Sequence, residues 1–335
     1  MKEAFYYKKL KNKVVNCNLC PTNCVIKPGN FGNCGARKNV DGELFSMVYG
    51  KPVSVNVDPI EKKPLYHFFP GSYSLSIGTL GCNLHCLHCQ NYDISQAKAD
   101  GFSVNEVMPE EIIETALRNN CKSISYTYNE PTINYEYVLE TVKLARKKGL
   151  KNVMVTNGYI NIEPLRDLYP YIDAANIDLK SIDGEFYKKI CSVRLNPILD
   201  AIGEIKKIGT WVELTNLIIP GHNDSKKQIE KLVLWVKGKL GDRVPLHFSA
   251  FYPTYNMLDV ERTPDKTLIM ARRVALDTGL KYVYIGNSSL EGAGDTLCPK
   301  CRKLLIKRDW FKVSSNKISE KLCPYCDEKI DGVFE

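Results

Sequence analysis

Between residues 74 and 286 the chain alternates short β-rich runs with amphipathic helical stretches, and this alternation leaves few architectures open. The β-rich runs are SLSIGT (74–79), SISYTY (123–128), NVMVT (152–156), AANIDL (174–179), WVELTNLII (211–219), PLHFSA (245–250) and YVYIG (282–286). Helical patterns lie between them at 109–120, 133–149, 197–209, 224–241 and 264–279. Several open on Pro or Asp and close at Gly, the residues that cap helices. Strands alternating with helices form βαβ units, which make neighbouring strands parallel. Successive strands lie about 25–50 residues apart, one βα unit each. The prediction is an α/β fold, a partial (β/α)6-type TIM barrel over 74–290. A Cys-rich segment with a β-rich lead-in (1–73) precedes it, and a small Cys-rich module (291–335) follows.

In such barrels chemistry sits at the carboxyl ends of the strands. Here those ends lead into Gly81-Cys82, Asn129-Glu130, Asn157-Gly158, Lys180, Pro220-Gly221-His222-Asn223, Tyr252 and Asn287. A parallel sheet puts all of them on one rim. His222 and His247 lie near strand ends and are candidate pocket residues or satisfied polar groups.

No apolar run approaches the ~18 residues of a membrane span, and the opening MKEAFYYKKLKNK lacks the apolar centre of a signal peptide. A cytoplasmic protein with no membrane partner is expected. Thiols stay reduced there, so the 13 cysteines point to metal ligands or catalytic groups rather than a disulfide framework. Eleven fall into three groups: Cys17, Cys20, Cys24 and Cys34; Cys82, Cys86 and Cys89; Cys298, Cys301, Cys323 and Cys326. Cys121 and Cys191 stand alone and read as small buried hydrophobes. Net charge is +8, concentrated at the two ends that carry four cysteines each. Four thiolates on a divalent metal total −2 and offset much of that excess, so nucleic acid is not the favoured partner.

TLGCNLHCLHCQN (79–91) places three cysteines at C-x3-C-x2-C directly after the first strand. Short-spaced thiolates suit zinc or an iron–sulfur cluster. Structural zinc needs a fourth protein ligand, and His85 or His88 is at hand, but both lie inside the cysteine spacers, where a short loop cannot easily aim four ligands at one ion. A cubane held by three cysteines keeps one iron open on the productive rim.

This triplet, so placed, resembles the radical S-adenosylmethionine (radical SAM) superfamily. The resemblance implies a [4Fe–4S] cluster on Cys82, Cys86 and Cys89 whose open iron is chelated by the methionine moiety of SAM. Reductive cleavage of SAM then gives a 5′-deoxyadenosyl radical that abstracts hydrogen from substrate. YTYNEPT (126–132) sits where the superfamily has a glycine-rich motif ending in a Glu that holds the SAM amino group; Asn129 and Glu130 are kept without the glycines. VTNGY (155–159), IDLKS (177–181) and IIPGHND (218–224) resemble strand ends of the pyruvate formate-lyase activating enzyme branch, which implies SAM contacts for Asn157, Asp178, Lys180 and His222. CNLCPTNC, GNCGARKN, VDPIEKKPLYHFFPG and the C-terminal cysteines extend the likeness to the AmmeMemoRadiSam system enzymes over nearly the whole chain. The implied partners are an unknown substrate, protein or small molecule, and a reductant such as ferredoxin or flavodoxin.

CPKC (298–301) and CPYC (323–326) are paired Cys-Pro-x-Cys knuckles that read as a structural zinc ribbon, whose metal supplies folding energy that so small a tail lacks. The spacing of Cys17, Cys20, Cys24 and Cys34, with turn glycines at 29, 32 and 35, can close around one zinc, the first choice, or hold an auxiliary cluster. In DPIEKKPLYHFFPG (58–71), Glu61, Lys62 and Lys63 read as surface charges, with Tyr66 and His67 as weaker pocket candidates. Trp211, Trp235 and Trp310 are expected in the core. Two enzymatic readings follow: activation of a glycyl-radical partner protein, or radical modification of a small molecule, peptide or RNA. The non-enzymatic competitor is a zinc-stabilised binding scaffold or iron–sulfur electron carrier, which leaves the polar strand ends unexplained.

Overall fold

A computed structural model describes residues 1–101 and 104–334. Its centre is one eight-stranded sheet of β1 (Ser54–Pro59), β2 (Tyr73–Gly78), β3 (Ser123–Tyr126), β4 (Lys151–Thr156), β5 (Ala174–Asp178), β6 (Trp211–Ile218), β7 (Leu246–Ala250) and β8 (Val283–Gly286). The strands lie in sequence order, and β2 to β8 are all parallel. Strand β1 is an antiparallel edge on β2, a strand the sequence pattern did not announce. Among the described residues β1 and β8 do not pair, so the barrel is partial and open on one side. All seven expected parallel strands form within a few residues of their predicted limits.

The crossovers carry α1 (Pro109–Arg118), α2 (Tyr135–Lys147), α3 (Ile162–Leu168), α4 (Gly184–Ile190), α5 (Asn196–Ile208), α6 (Lys226–Leu240) and α7 (Asp265–Asp277). Each long helix turns one stripe inward: Ile198, Ala201, Ile202 and Ile205 of α5 are fully buried, the i, i+3, i+4, i+7 pattern of a helix lying on a sheet. Burying one such isoleucine stabilises the fold by about 1.5–3 kcal/mol. Capping follows the sequence: Ser225 accepts a hydrogen bond from Gln228 N at the start of α6, and Gly209 ends α5 at φ +101. Helices α3 and α4, seven residues each, were not expected, because two turns are too short to show a period.

Residues 60–68 close the amino-terminal end of the barrel. There Glu213 of β6, fully buried, accepts hydrogen bonds from the amides of Tyr66 (3.0 Å) and His67 (2.8 Å) and from Trp211 Nε1 (3.1 Å), and meets His247 Nε2 at 2.7 Å. Burial alone would raise its pKa, but the His247 hydrogen bond and these donors hold it below the usual carboxylate range. The charged residues expected on the surface here are mostly inside. Glu61 and Lys63 are buried, because Glu61 meets buried Arg308 (3.5 Å) and Lys63 meets Asp58 (2.7 Å).

The C-terminal residues form a three-stranded antiparallel sheet, Thr296–Leu297, Leu304–Asp309 and Lys312–Asn316. It is tied to the barrel by Arg308, whose Nη2 donates to the Tyr66 carbonyl at 2.7 Å, and by Arg243, which pairs with Glu328 and Asp331 at 2.8 Å each. Trp211 and Trp235 pack against the core, but Trp310 is 58% exposed. It sits on the tight turn between the last two strands, where no layer lies above it. Among the described residues no helix is long and apolar enough to cross a membrane.

Candidate active site

The carboxyl ends of the parallel strands open onto a cavity of about 580 Å³. Register explains the convergence: Thr156 pairs with Ile177, Asp178 with Thr215 and Ser249 with Gly286, so these strands end at one level. Cys82, Cys86 and Cys89 line the cavity together with Asn129, Glu130, Asn157, Asp178 and Lys180. Eight of the nine residues expected at this site thus meet in one space. His222 is not among its lining residues; its carbonyl accepts from Gln228 Nε2 at the start of α6.

Each side chain is held from behind. Asn129 Nδ2 donates to the Gly81 carbonyl at 2.7 Å, tying the β3 end to the cysteine loop. Glu130 is buried, and Thr132 N (3.0 Å), Thr132 Oγ1 (2.5 Å), Thr156 Oγ1 (2.8 Å) and Asn157 N (2.8 Å) all donate to its carboxylate. Burial still pushes its pKa up. Asn157 Nδ2 donates to Asn83 Oδ1 at 2.9 Å and approaches Cys82 Sγ at 3.8 Å. Lys180 Nζ lies 2.9 Å from Asp178 Oδ2, and its backbone carbonyl is clamped by Asn216 and Asn223 at 3.0 and 2.7 Å. Burial would lower the Lys180 pKa, but Asp178 beside it holds it well above the usual lysine value. The loop therefore faces a fixed, partly buried cation.

His85 and His88 divide. His85 Nδ1 is 2.6 Å from Gln96 Oε1, away from the cavity wall. His88 lines the cavity, is buried, and has an Nδ1 with no partner. Burial, helped by the Lys180 charge, pushes its pKa down to about 3, so it is a neutral wall of the site.

One participant escaped the sequence reading. Cys191, at the end of α4, is buried as expected, yet its thiol lies beside Cys86 and lowers the Cys86 pKa. Its carbonyl and that of Ile190 accept the amides of His85 (3.2 Å) and Leu87 (2.9 Å), so the end of α4 props the cysteine loop. A lone cysteine about 100 residues from the motif carries no local signal of this. His247, offered as either pocket residue or satisfied polar group, is both: it lines the cavity and is bonded to Glu213.

The donor chemistry fits the groups the resemblance implied. Three thiol ligands on a short loop, a neighbouring cation and a polar wall suit a cluster with one open iron and a zwitterionic ligand beside it. The sulfurs of Cys82, Cys86 and Cys89 do not all lie within 4.8 Å of one another. Among the described residues the one group of three or more ligands that does is Cys298, Cys301, Cys323 and Cys326, with Cys298 and Cys326 Sγ 3.6 Å apart and Cys301 and Cys323 Sγ 3.7 Å apart. Sulfurs on a tetrahedral zinc at ~2.3 Å stand ~3.8 Å apart, so this set is closed and metal-ready.

Comparison with known proteins agrees with this geometry. The sequence profile of the Radical SAM superfamily matches residues 76–236. An uncharacterized protein of Methanocaldococcus jannaschii is 48% identical over all of this chain and all of its own length. A pyruvate formate-lyase-activating enzyme of Clostridium pasteurianum is 26% identical over 47% of this chain and 66% of its own. Among solved structures, a radical SAM methyltransferase from Sphaerobacter thermophilus superposes with a TM-score of 0.51 at 16% identity, covering 71% of each chain, and so shares the fold. With its three-cysteine loop, its strand-end residues and these relatives, the chain belongs to the radical SAM superfamily.

Proposed function

We propose that this protein is an enzyme that binds SAM against a cluster on Cys82, Cys86 and Cys89 and uses the resulting radical on a polypeptide substrate. The observation that carries the reading is that those cysteines share one cavity with Glu130, Asn157, Asp178 and Lys180. When bound, a reduced [4Fe–4S] cluster supplies the electron that cleaves SAM to methionine and a 5′-deoxyadenosyl radical. The chain's own residues bind, orient and exclude water. Lys180, fixed by Asp178 and by the clamp on its carbonyl, presents its ammonium where a carboxylate would be recognised. Asn157 and the Glu130 carboxylate shape the opposite wall.

The cavity is open at its mouth, where a substrate segment can reach SAM. Relatives named pyruvate formate-lyase-activating enzyme and 4-hydroxyphenylacetate decarboxylase activating enzyme support a protein, of the glycyl-radical kind, as that substrate. A one-electron donor protein of the ferredoxin or flavodoxin class completes the scheme. The test is the electron paramagnetic resonance (EPR) spectrum of the anaerobically reconstituted, reduced protein: SAM is expected to shift its g-values, and Cys86→Ala to abolish the shift. A spectrum indifferent to SAM would sink the proposal.

A further inference from the structure

Cys17, Cys20, Cys24 and Cys34 all line one small pocket, with Leu19, Ile26 and Ile133 as its apolar wall. A zinc ion sits between four touching sulfurs. In this chain the C-terminal set shows that arrangement, with sulfurs 3.6 and 3.7 Å apart, but no three of the four N-terminal sulfurs lie within 4.8 Å of one another. A cubane spreads its thiolates to roughly 6 Å, since each binds a different iron. The N-terminal set resembles Cys82, Cys86 and Cys89 in this respect and differs from the zinc-like set.

A second observation shows that the cavity awaits an anion. Arg37 lines it and is 1% exposed, with Nη1 3.5 Å from Cys17 Sγ and Nη2 paired with buried Glu136. Its Nε has no partner. The amide of Asn33 donates to Cys24 Sγ at 3.4 Å. Four thiolates on a [4Fe–4S]²⁺ core total −2, a charge that a buried guanidinium and amide donors stabilise. Zinc would leave the same charge; the sulfur spacing decides between them.

We propose that Cys17, Cys20, Cys24 and Cys34 hold a second [4Fe–4S] cluster, placed beside the first. The contact is direct: the Cys82 amide donates to the Cys34 carbonyl at 3.2 Å. Gly81, at φ +90, permits that approach, because a Cβ there would collide with the Cys34 carbonyl oxygen. Asn83 lines the N-terminal cavity and accepts from Asn157 of the active site. One backbone hydrogen bond thus separates the two ligand loops, and the Cys34 and Cys82 thiols lie within roughly 12 Å. The placement beside a SAM-binding cluster rests on the function proposed above; the metal assignment does not.

The test is metal content and EPR of the full-length chain, reconstituted anaerobically with iron and sulfide. Wild type is expected to hold about eight irons and one zinc, and the Cys82→Ala/Cys86→Ala/Cys89→Ala variant about four irons. The reduced variant should give a spectrum unaffected by SAM, and reduced wild type an additional broadening from two interacting spins. Cys17→Ala/Cys20→Ala/Cys24→Ala should remove that broadening and leave about four irons. An iron-free Cys82/Cys86/Cys89 variant, with two zinc ions in wild type, overturns the proposal. If that variant keeps its iron while wild type ignores SAM, the second cluster stands and the proposed function falls.

Discussion

Lys180 shows how one side chain acquires a task from its surroundings. Its ammonium sits 2.9 Å from Asp178, its carbonyl is held by two asparagines, and its charge faces the cysteine loop. A charge-assisted hydrogen bond to a buried ligand carboxylate contributes about 1.5–3 kcal/mol. Lys180→Ala should therefore weaken SAM binding roughly 10- to 100-fold while leaving the iron content unchanged. Unchanged SAM affinity by titration would remove Lys180 from the site.

His67 works through burial instead. A carbonyl only accepts, so Nδ1–H donates to the Asp331 carbonyl at 2.6 Å, and Nε2 accepts from Tyr284 OH at 2.6 Å. The neutral ring is fully satisfied, and burial pushes its pKa from the usual 6.5 down to about 4. As pH falls from 6.5 to 4 the unfolded chain takes up a proton that the folded chain refuses, so stability is present above 6.5 and is lost across that window. The loss should reach about 3 kcal/mol and be absent from the pH profile of His67→Gln, measured by denaturant unfolding. Parallel profiles for the two proteins would contradict this. The Asp178–Lys180 pair was legible because residues two apart at a strand end share a face. Cys191 and the burial of His67 were not, since both depend on partners more than 100 residues away.

At the level of elements, the long helices were readable because their period and capping residues extend over ten or more positions, and the parallel strands because short β-rich runs alternate with those helices. What resisted reading was short or non-local. Strand β1 alternates over only five residues, Ser54 to Asp58, and turns Val55 and Val57 outward, and the 60–68 segment looks like a charged surface loop until Glu213, Arg308 and Asp58 are brought to it. The C-terminal knuckles were legible from spacing alone. Their apolar cluster of Cys298, Leu305, Ile306, Cys323 and Ile330 is small, so a metal on the four cysteines is expected to carry much of the module's stability. Cys298→Ser should release one metal ion per chain and lower the thermal midpoint of the module by several degrees, while the SAM-dependent EPR shift persists. An unchanged midpoint would mean that the sheet folds without its metal.

For the whole molecule, the three cysteine groups take three places in one framework. The loop after β2 faces the barrel mouth, the N-terminal set packs behind that loop, and the C-terminal set braces the barrel through Arg308 and Arg243. The non-enzymatic scaffold foreseen as an alternative has no use for a cavity walled by Glu130, Asn157 and a clamped Lys180. Its mouth is open, and nothing in the alternation of strands and helices could have disclosed what enters it, because loops rather than strand periodicity shape that opening. The central claim is that this cavity cleaves SAM. The direct measurement is 5′-deoxyadenosine formed when the reconstituted, reduced protein is mixed with SAM under anaerobic conditions. The account predicts product with wild type and with Cys298→Ser and none with Cys86→Ala; equal yields from wild type and Cys86→Ala would contradict it.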